Sequence, residues 1–444
     1  MDAVLLARLQ FAFTVGFHFL FPPITIGLAW LLVFVETLGW RKHDEGYYRI
    51  GRFFGKILGL TFAVGVATGI VMEFQFGTNW AEYSKFVGDI FGAPLAAEGV
   101  FAFFLESCFL GLYLFGRGRV SKRIHWFSAV MVAFGATLSA FWIIAANSWQ
   151  QTPAGYAIRN GRAELTDFWA AVFNPSTVVR YLHTVDAALV TGAFFMAGIS
   201  AYLLLKGKET DLARRSLKIA LIFGLVVSVL EVVPSGHEHA RQVAHTQPEK
   251  FAAIEGLYTT QTGAPIVMFA VPTEKPPTLH APIEIPGLLS WLAFGDVNAT
   301  IKGLNEFPYD EVPPLWLTFV SFHNMVILGL YFILVMGIGV YKLYKTSLWA
   351  STRFLKLLIW SIPLPLIACQ LGWIAAEVGR QPWIVYHVLK TMDAVSVSVP
   401  AGDILFSIIV FGLVYLLLGI LYVYLLIKKV QHGPEPMPPG EVAA

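Results

Sequence analysis

Residues 403–427 read DILFSIIVFGLVYLLLGILYVYLLI, with one charged side chain, Asp403, at the very start. About 20 mostly apolar residues in α-helix cross the hydrocarbon of a bilayer. Eight further segments qualify, roughly 10–39, 53–76, 93–116, 124–148, 178–205, 217–235, 315–341 and 354–377. The composition agrees: 56% of the 444 residues are hydrophobic and only 14% charged, against about 25% charged in a soluble domain. Mean hydropathy is +0.64. The expected fold is all-α, a polytopic membrane bundle of about nine transmembrane helices with one long external loop.

The net charge of +2 gives no ground for a nucleic-acid partner, but its distribution is informative. The connections near 41–56, 117–123, 206–218, 342–356 and 428–429 hold 20 of the 31 lysines and arginines. The positive-inside rule then puts the C-terminus in the cytoplasm, and an odd number of spans puts the N-terminus outside. The first apolar segment reads as a retained helix, since both Asp2 and Arg8 precede it and no small-residue cleavage site follows. Cys108 and Cys369 fall inside apolar runs, which argues against a disulfide framework or a thiolate metal site.

Two outer connections are long, 149–177 and 236–314. The second contains PTEKPPTLHAPIEIP (272–286) and is expected to be mostly irregular; loops of that length are usually functional or disordered. The expected division is 1–235 for six spans, 236–314 for the external loop, 315–430 for three spans and 431–444 for a frayed tail.

Ionisable groups inside spans cost about 2.5–3.5 kcal/mol on insertion scales and mark functional sites. His18 lies about ten residues inside the first segment and reads as a ligand, a proton carrier or an interhelical hydrogen-bonding group. In EGVFAFFLES (97 excluded, 98–107), Glu98 and Glu106 are eight apart, about 12 Å along an α-helix and about 80° in azimuth. Two carboxylates so placed favour a proton relay, which Ser139 and Asn147 could continue. His183 and Asp186 are helix neighbours at the start of the fifth span and suit either a metal or haem ligand or a structural pair. Met325 is of interest through the His/Met pairing of electron-transfer haems. Glu377 and Arg380 sit three apart at an outer helix end, which spacing alone reads as an ion-paired terminus.

In sequence order, the chain carries RLQFAFTVGFHFLFPPITIGLA (8–29), AAEGVFAFFLESCFLGLYLFG (96–116) and SAFWIIAANSWQQTP (139–153). GHEHARQVAHTQPEKFAAIEG (236–256) and GRQPW (379–383) follow. Together these resemble subunit I of the cytochrome bd-type quinol oxidases, of the short quinol-loop type that includes cyanide-insensitive oxidases. The resemblance implies a low-spin haem b with His183 and Met325 as axial ligands. It implies a high-spin haem b and a haem d, the latter open to replacement by haem b, with His18 and Glu377 as their ligands. Lys250 and Glu255 match loop residues of quinol oxidation; Glu98, Glu106 and Ser139 match the proton path to the oxygen site. Arg380 and Gln381 match positions that stabilise haem propionates.

The resemblance further implies quinol and dioxygen as substrates, a second large membrane subunit, a small single-helix subunit in some members, and a bacterial inner-membrane location. One departure is His323, where many members carry Arg two residues before the ligating Met. The cluster His237, Glu238, His239 and His245 fits no standard zinc spacing. A haem–copper oxidase would need clustered span histidines, which the 11 histidines do not supply. The remaining rival is a haem-free, proton-coupled transporter or channel built on His18, Glu98 and Glu106.

Overall fold

The structure, a computed structural model, describes residues 2–274 and 277–436. Lys275, Pro276 and the last eight residues of the tail lie outside that range. Among the described residues nine helical segments are long and apolar enough to span a membrane: Ala3–Lys42, Glu45–Thr78, Ala81–Phe115, Lys122–Gln151, Thr177–Leu205, Thr210–Thr246, Leu315–Tyr344, Thr352–Val378 and Ala401–His432. Connections at one end of the bundle are short. The other end carries 152–176, 247–314 and 379–400.

The fifth span is the most enclosed and the ninth the least. Lipid gives no hydrophobic drive for helices to pair, so close approach of small residues does the packing. Gly27 and Gly192 show it: a Cβ on Gly192 would lie 2.3 Å from the Gly27 carbonyl carbon, and one on Gly27 2.1 Å from the Ala188 carbonyl oxygen. Leu28, Leu31, Phe54, Phe194 and Met336 fill the centre around this contact.

Three departures from helical regularity matter. The first span breaks at Phe19–Phe21, and its second half restarts on Pro22 and Pro23, where missing N–H groups cost nothing. The helix begins at Ala3, so His18 is its sixteenth residue and lies deeper than the sequence suggested. The third and sixth spans each contain a π-helical stretch, Glu98–Phe103 and Glu231–Gly236. In the sixth, Pro234 cannot bond the carbonyl four residues back, and the Ser235 hydroxyl donates to that Leu230 oxygen at 3.0 Å instead.

The expectation that 236–314 is mostly irregular is corrected. The sixth span runs on to Thr246, a helix Pro248–Glu255 follows, and Ile266–Glu274 pairs antiparallel with Pro277–Ile285. A short helix, Leu288–Phe294, closes the region. Prolines hid the strands; in a two-stranded ribbon both strands are edges and tolerate a missing donor. Residues 156–165 also form a hairpin, turning at Asn160 and Gly161, both with positive φ, as a two-residue hairpin turn demands.

Candidate active site

The four candidate haem ligands, the proton-path and quinol residues, Arg380 and Gln381, eleven side chains together, line one cavity of about 1570 Å³, bounded by the first eight spans and the long connection; Asp186 is not among its lining residues. Small-molecule pockets usually hold about 300–1,000 Å³. The larger volume, with mostly apolar and aromatic walls, suits more than one large flat ligand.

At the end bearing the long connection, the helix Pro248–Glu255 buries both Lys250 and Glu255. Burial pushes the Glu255 carboxyl up to about 8 and holds the Lys250 amine well below its ordinary value. That amine donates to Gln151 Oε1 at 3.0 Å, to the Ala376 carbonyl at 2.9 Å and to Gln247 Oε1 at 3.4 Å. In this arrangement it braces the end of the eighth span.

Glu377, one residue from the end of that span, accepts from Arg380, from Asn147 Nδ2 at 3.1 Å and from Gln151 Nε2 at 3.4 Å. The ion-paired terminus allowed by the spacing is present, but it leaves Arg380 Nε and Nη1 buried without partners. Orphaned buried donors cost about 1–3 kcal/mol each. A guanidinium with two spare nitrogens at a cavity wall is suited to a planar carboxylate. Gln381 donates to the Glu377 carbonyl and accepts from the Thr391 hydroxyl at 2.8 Å.

Deeper, Met325 Sδ lies 2.7 Å from where a Cβ would stand on Gly372, so a side chain at position 372 would push the thioether from this place. His183 Nδ1 is 3.2 Å from Glu231 Oε1. The His18 ring faces Gly69, and its Nδ1 lies 3.0 Å from the Thr68 hydroxyl. The Ser139 hydroxyl donates to Glu98 Oε1 at 2.6 Å, while Glu106 packs on Gly135, one turn from Ser139. The sequence put the two glutamates about 80° apart. The wider π turn between them absorbs roughly one extra residue, about 100°, and turns both toward the fourth span.

Imidazole, thioether and carboxylate donors, aromatic walls, glycine recesses and an unsatisfied guanidinium together fit iron porphyrins. The model of the family described as cytochrome bd terminal oxidase subunit I matches residues 6–434. The chain belongs to the cytochrome bd terminal oxidase subunit I family. Cytochrome bd ubiquinol oxidase subunit 1 of Bacillus subtilis (strain 168) is 44% identical, over 98% of this chain and 95% of that protein. Cytochrome bd-II ubiquinol oxidase subunit 1 of Escherichia coli (strain K12) is 37% identical over 98% of both. The solved bd oxidase from Geobacillus thermodenitrificans superposes with a TM-score of 0.92 at 31% identity, covering 98% of this chain and 99% of that one. The chain is thus a subunit of a quinol-oxidising, oxygen-reducing terminal oxidase in a bacterial membrane, a family whose cofactors are haems. The haem-free transporter reading has no support.

Within this bd-type bundle, Glu73, Arg180 and Glu231 are among the charged residues that line the same cavity and that sequence reasoning missed. Arg180 donates to Asn147 Oδ1 at 2.6 Å and stands 4.0 Å from Glu377. Each is an ionisable residue inside an apolar segment, the signal that found Glu98. His323 aims Nδ1 at the Phe319 carbonyl (3.0 Å) and Nε2 at the Val267 carbonyl (2.9 Å), tying the 266–285 hairpin to the seventh span. Among the described residues no group of three or more His, Cys, Asp or Glu could hold a metal ion by itself. His239 instead stands edge-on to His183 at 5.1 Å, Glu238 pairs with Arg241, and His245 packs on Phe294.

Proposed function

We propose that quinol is oxidised at the long-connection end of this cavity, on the outer side of the membrane, and that water forms deeper within it from protons drawn from the cytoplasm. The continuous cavity running from Glu255 past His183, Met325 and Glu377 to His18 and Glu106 carries this reading. His183 and Met325 would hold a low-spin haem b, and His18 and Glu377 a high-spin haem b and a haem d, or two haems b. When bound, these groups supply the electron path from quinol and the iron at which dioxygen is reduced.

The protein's own groups do the rest. Glu255, with its raised proton affinity, takes a proton from a quinol hydroxyl and passes it to the outside. Lys250 holds the end of the eighth span, and so Glu377, in place. Arg380, with Gln381 alongside, neutralises propionate charge through its two spare nitrogens, Nε and Nη1. Glu106, Glu98 and the Ser139 hydroxyl form a proton path from the opposite end. Both chemical half-reactions then move charge in the same sense across the membrane, without a pump.

The N-terminus would be outside and the C-terminus cytoplasmic. Residues 1–235 and 315–430 would carry the haem ligands, 236–314 the quinol site and 431–444 a cytoplasmic tail. A second large membrane subunit, with a small single-helix one in addition, would cover apolar side chains exposed along the third and ninth spans, among them Phe101, Phe104, Phe406 and Leu417.

The test is a reduced-minus-oxidised spectrum of the quinol-reduced complex with pyridine haemochrome analysis. Met325→Leu should abolish the low-spin band and leave the high-spin signals. An unchanged low-spin spectrum in that variant would remove the ligand assignment.

A further inference from the structure

The sixth span approaches His183 with a carboxylate that none of the roles above uses. Glu231 opens the π-helical turn Glu231–Gly236, and its Oε1 lies 3.2 Å from His183 Nδ1. Both side chains are largely buried, at 14% and 19% relative exposure, so this approach is not a solvent-screened surface pair. Glu231 keeps regular αR backbone at the end of the helix that packs beside the fifth span, and the π turn it opens, a feature associated with functional sites in general, follows it. The Ser235 hydroxyl lies 3.4 Å from Glu231 Oε2 on the far side of the carboxylate, and Gly236 leaves room for the ring, whose Cε1 is 3.5 Å from the position of a Cβ there.

His183 Nδ1 is buried and has no aligned hydrogen bond, although Glu231 is within reach. An imidazole that gives one nitrogen to a metal keeps the other as an N–H donor, and its acceptor fixes the tautomer, the ring orientation and the ligand's basicity. We propose that Glu231 is the positioning residue for His183: it accepts the Nδ1 hydrogen, orients the ring and lowers the reduction potential of the low-spin haem. This rests on His183 being an axial ligand, as argued above.

The direction follows from charge. An imidazole drawn toward imidazolate by a carboxylate donates more strongly to iron and favours the oxidised, more positive state. Three other groups surround His183. Asp186 lies one turn along the same helix and adds to the effect, Arg180 lies one turn before and opposes it, and His239 packs edge-on at 5.1 Å. Glu231 is the carboxylate with an atom at hydrogen-bonding distance from the ring nitrogen.

The experiment is a redox titration of the low-spin absorption band in the purified complex, with low-temperature electron paramagnetic resonance of the oxidised form. Glu231→Gln should keep the low-spin haem, raise its midpoint potential and shift the low-spin g-values toward a weaker imidazole donor. Glu231→Asp keeps the charge but withdraws it by one methylene, and should move both readouts less, in the same direction. Low-spin haem retained with unchanged potential and g-values in Glu231→Gln overturns the proposal. Should that variant fail to assemble, the Asp variant decides, and no shift there has the same meaning. His183→Ala separates the two layers: survival of the low-spin band in it would sink the ligand assignment itself.

Discussion

Replacing Glu255 by Gln tests the quinol end of the cavity with a magnitude the structure supplies. Burial raises this carboxyl from an ordinary 4.5 to about 8, a preference for the neutral form of roughly 5 kcal/mol. A carboxyl of that affinity is ionised in about one molecule in ten at pH 7 and in half at pH 8. If it is the base that takes the quinol proton, kcat/KM for quinol should rise about fivefold between those two values and level off above them. Steady-state oxygen uptake of the purified complex across pH 6–9 reads this directly. Glu255→Gln should lower the rate and flatten the rise. Stability does not confound the comparison. The folded protein keeps a proton that the unfolded chain releases above 4.5, so stability falls as pH climbs from there to about 8, by roughly 3 kcal/mol at pH 7. The Gln variant escapes that loss and should assemble at least as well. Lys250, whose amine burial holds well below its ordinary value, is a buried nitrogen base at the same end of the cavity. A pH profile that kept its full slope in Glu255→Gln would therefore move the base to Lys250 and refute the assignment to Glu255.

Arg380→Leu removes two unpartnered buried nitrogens and the ion-pair partner of Glu377. It should yield complex with reduced high-spin haem content, and a normal haem-to-protein ratio would count against the propionate role. Ser139→Ala deletes the 2.6 Å hydrogen bond to Glu98, worth about 1 kcal/mol. Oxygen turnover should fall about fivefold while reduction of the low-spin haem by quinol keeps its rate in stopped flow. Gly192→Val forces a Cβ to within 2.3 Å of Gly27 and should prevent assembly, as judged by size-exclusion chromatography, whereas Gly111→Ala, with nothing within 4 Å, should not.

The spans were legible because lipid leaves the chain little choice: each segment must satisfy its backbone internally and present apolar side chains outward. Each of the nine expected segments falls on one of the nine spans, with helix breaks at Phe19–Phe21 in the first and at 361–363 in the eighth. The 266–285 hairpin was not legible, because Pro272, Pro277 and Pro282 read as breakers unless one knows the strands are both edges. Site residues found by their cost in lipid line the cavity, and the missed ones obeyed the same rule. Glu73 and Glu231 escaped notice because neither stands in a motif; Arg180 did because it sits near a span's end, where a cation costs little.

What the sequence could not convey is direction. An azimuth computed at 100° per residue assumes every turn is α, and both stretches that open on a cavity-lining carboxylate, 98–103 and 231–236, are π. Each lies near a proline, Pro94 four residues before Glu98 and Pro234 three after Glu231. Proline lacks the N–H that closes an α turn, and the chain spends an extra residue there, rotating all that follows relative to what precedes. In the third span the rotation brings Glu98 and Glu106 against one neighbour, the fourth span, where Ser139 and Gly135 receive them. In the sixth, Glu231 stands at the end of the regular helix, 3.2 Å from His183, just before the rotation begins. Inserting one alanine between Leu230 and Glu231 would rotate that carboxylate about 100° off its target and leave the rest of the span's sequence unchanged. An insertion variant with an unaltered low-spin potential would mean that Glu231 does not act through its direction.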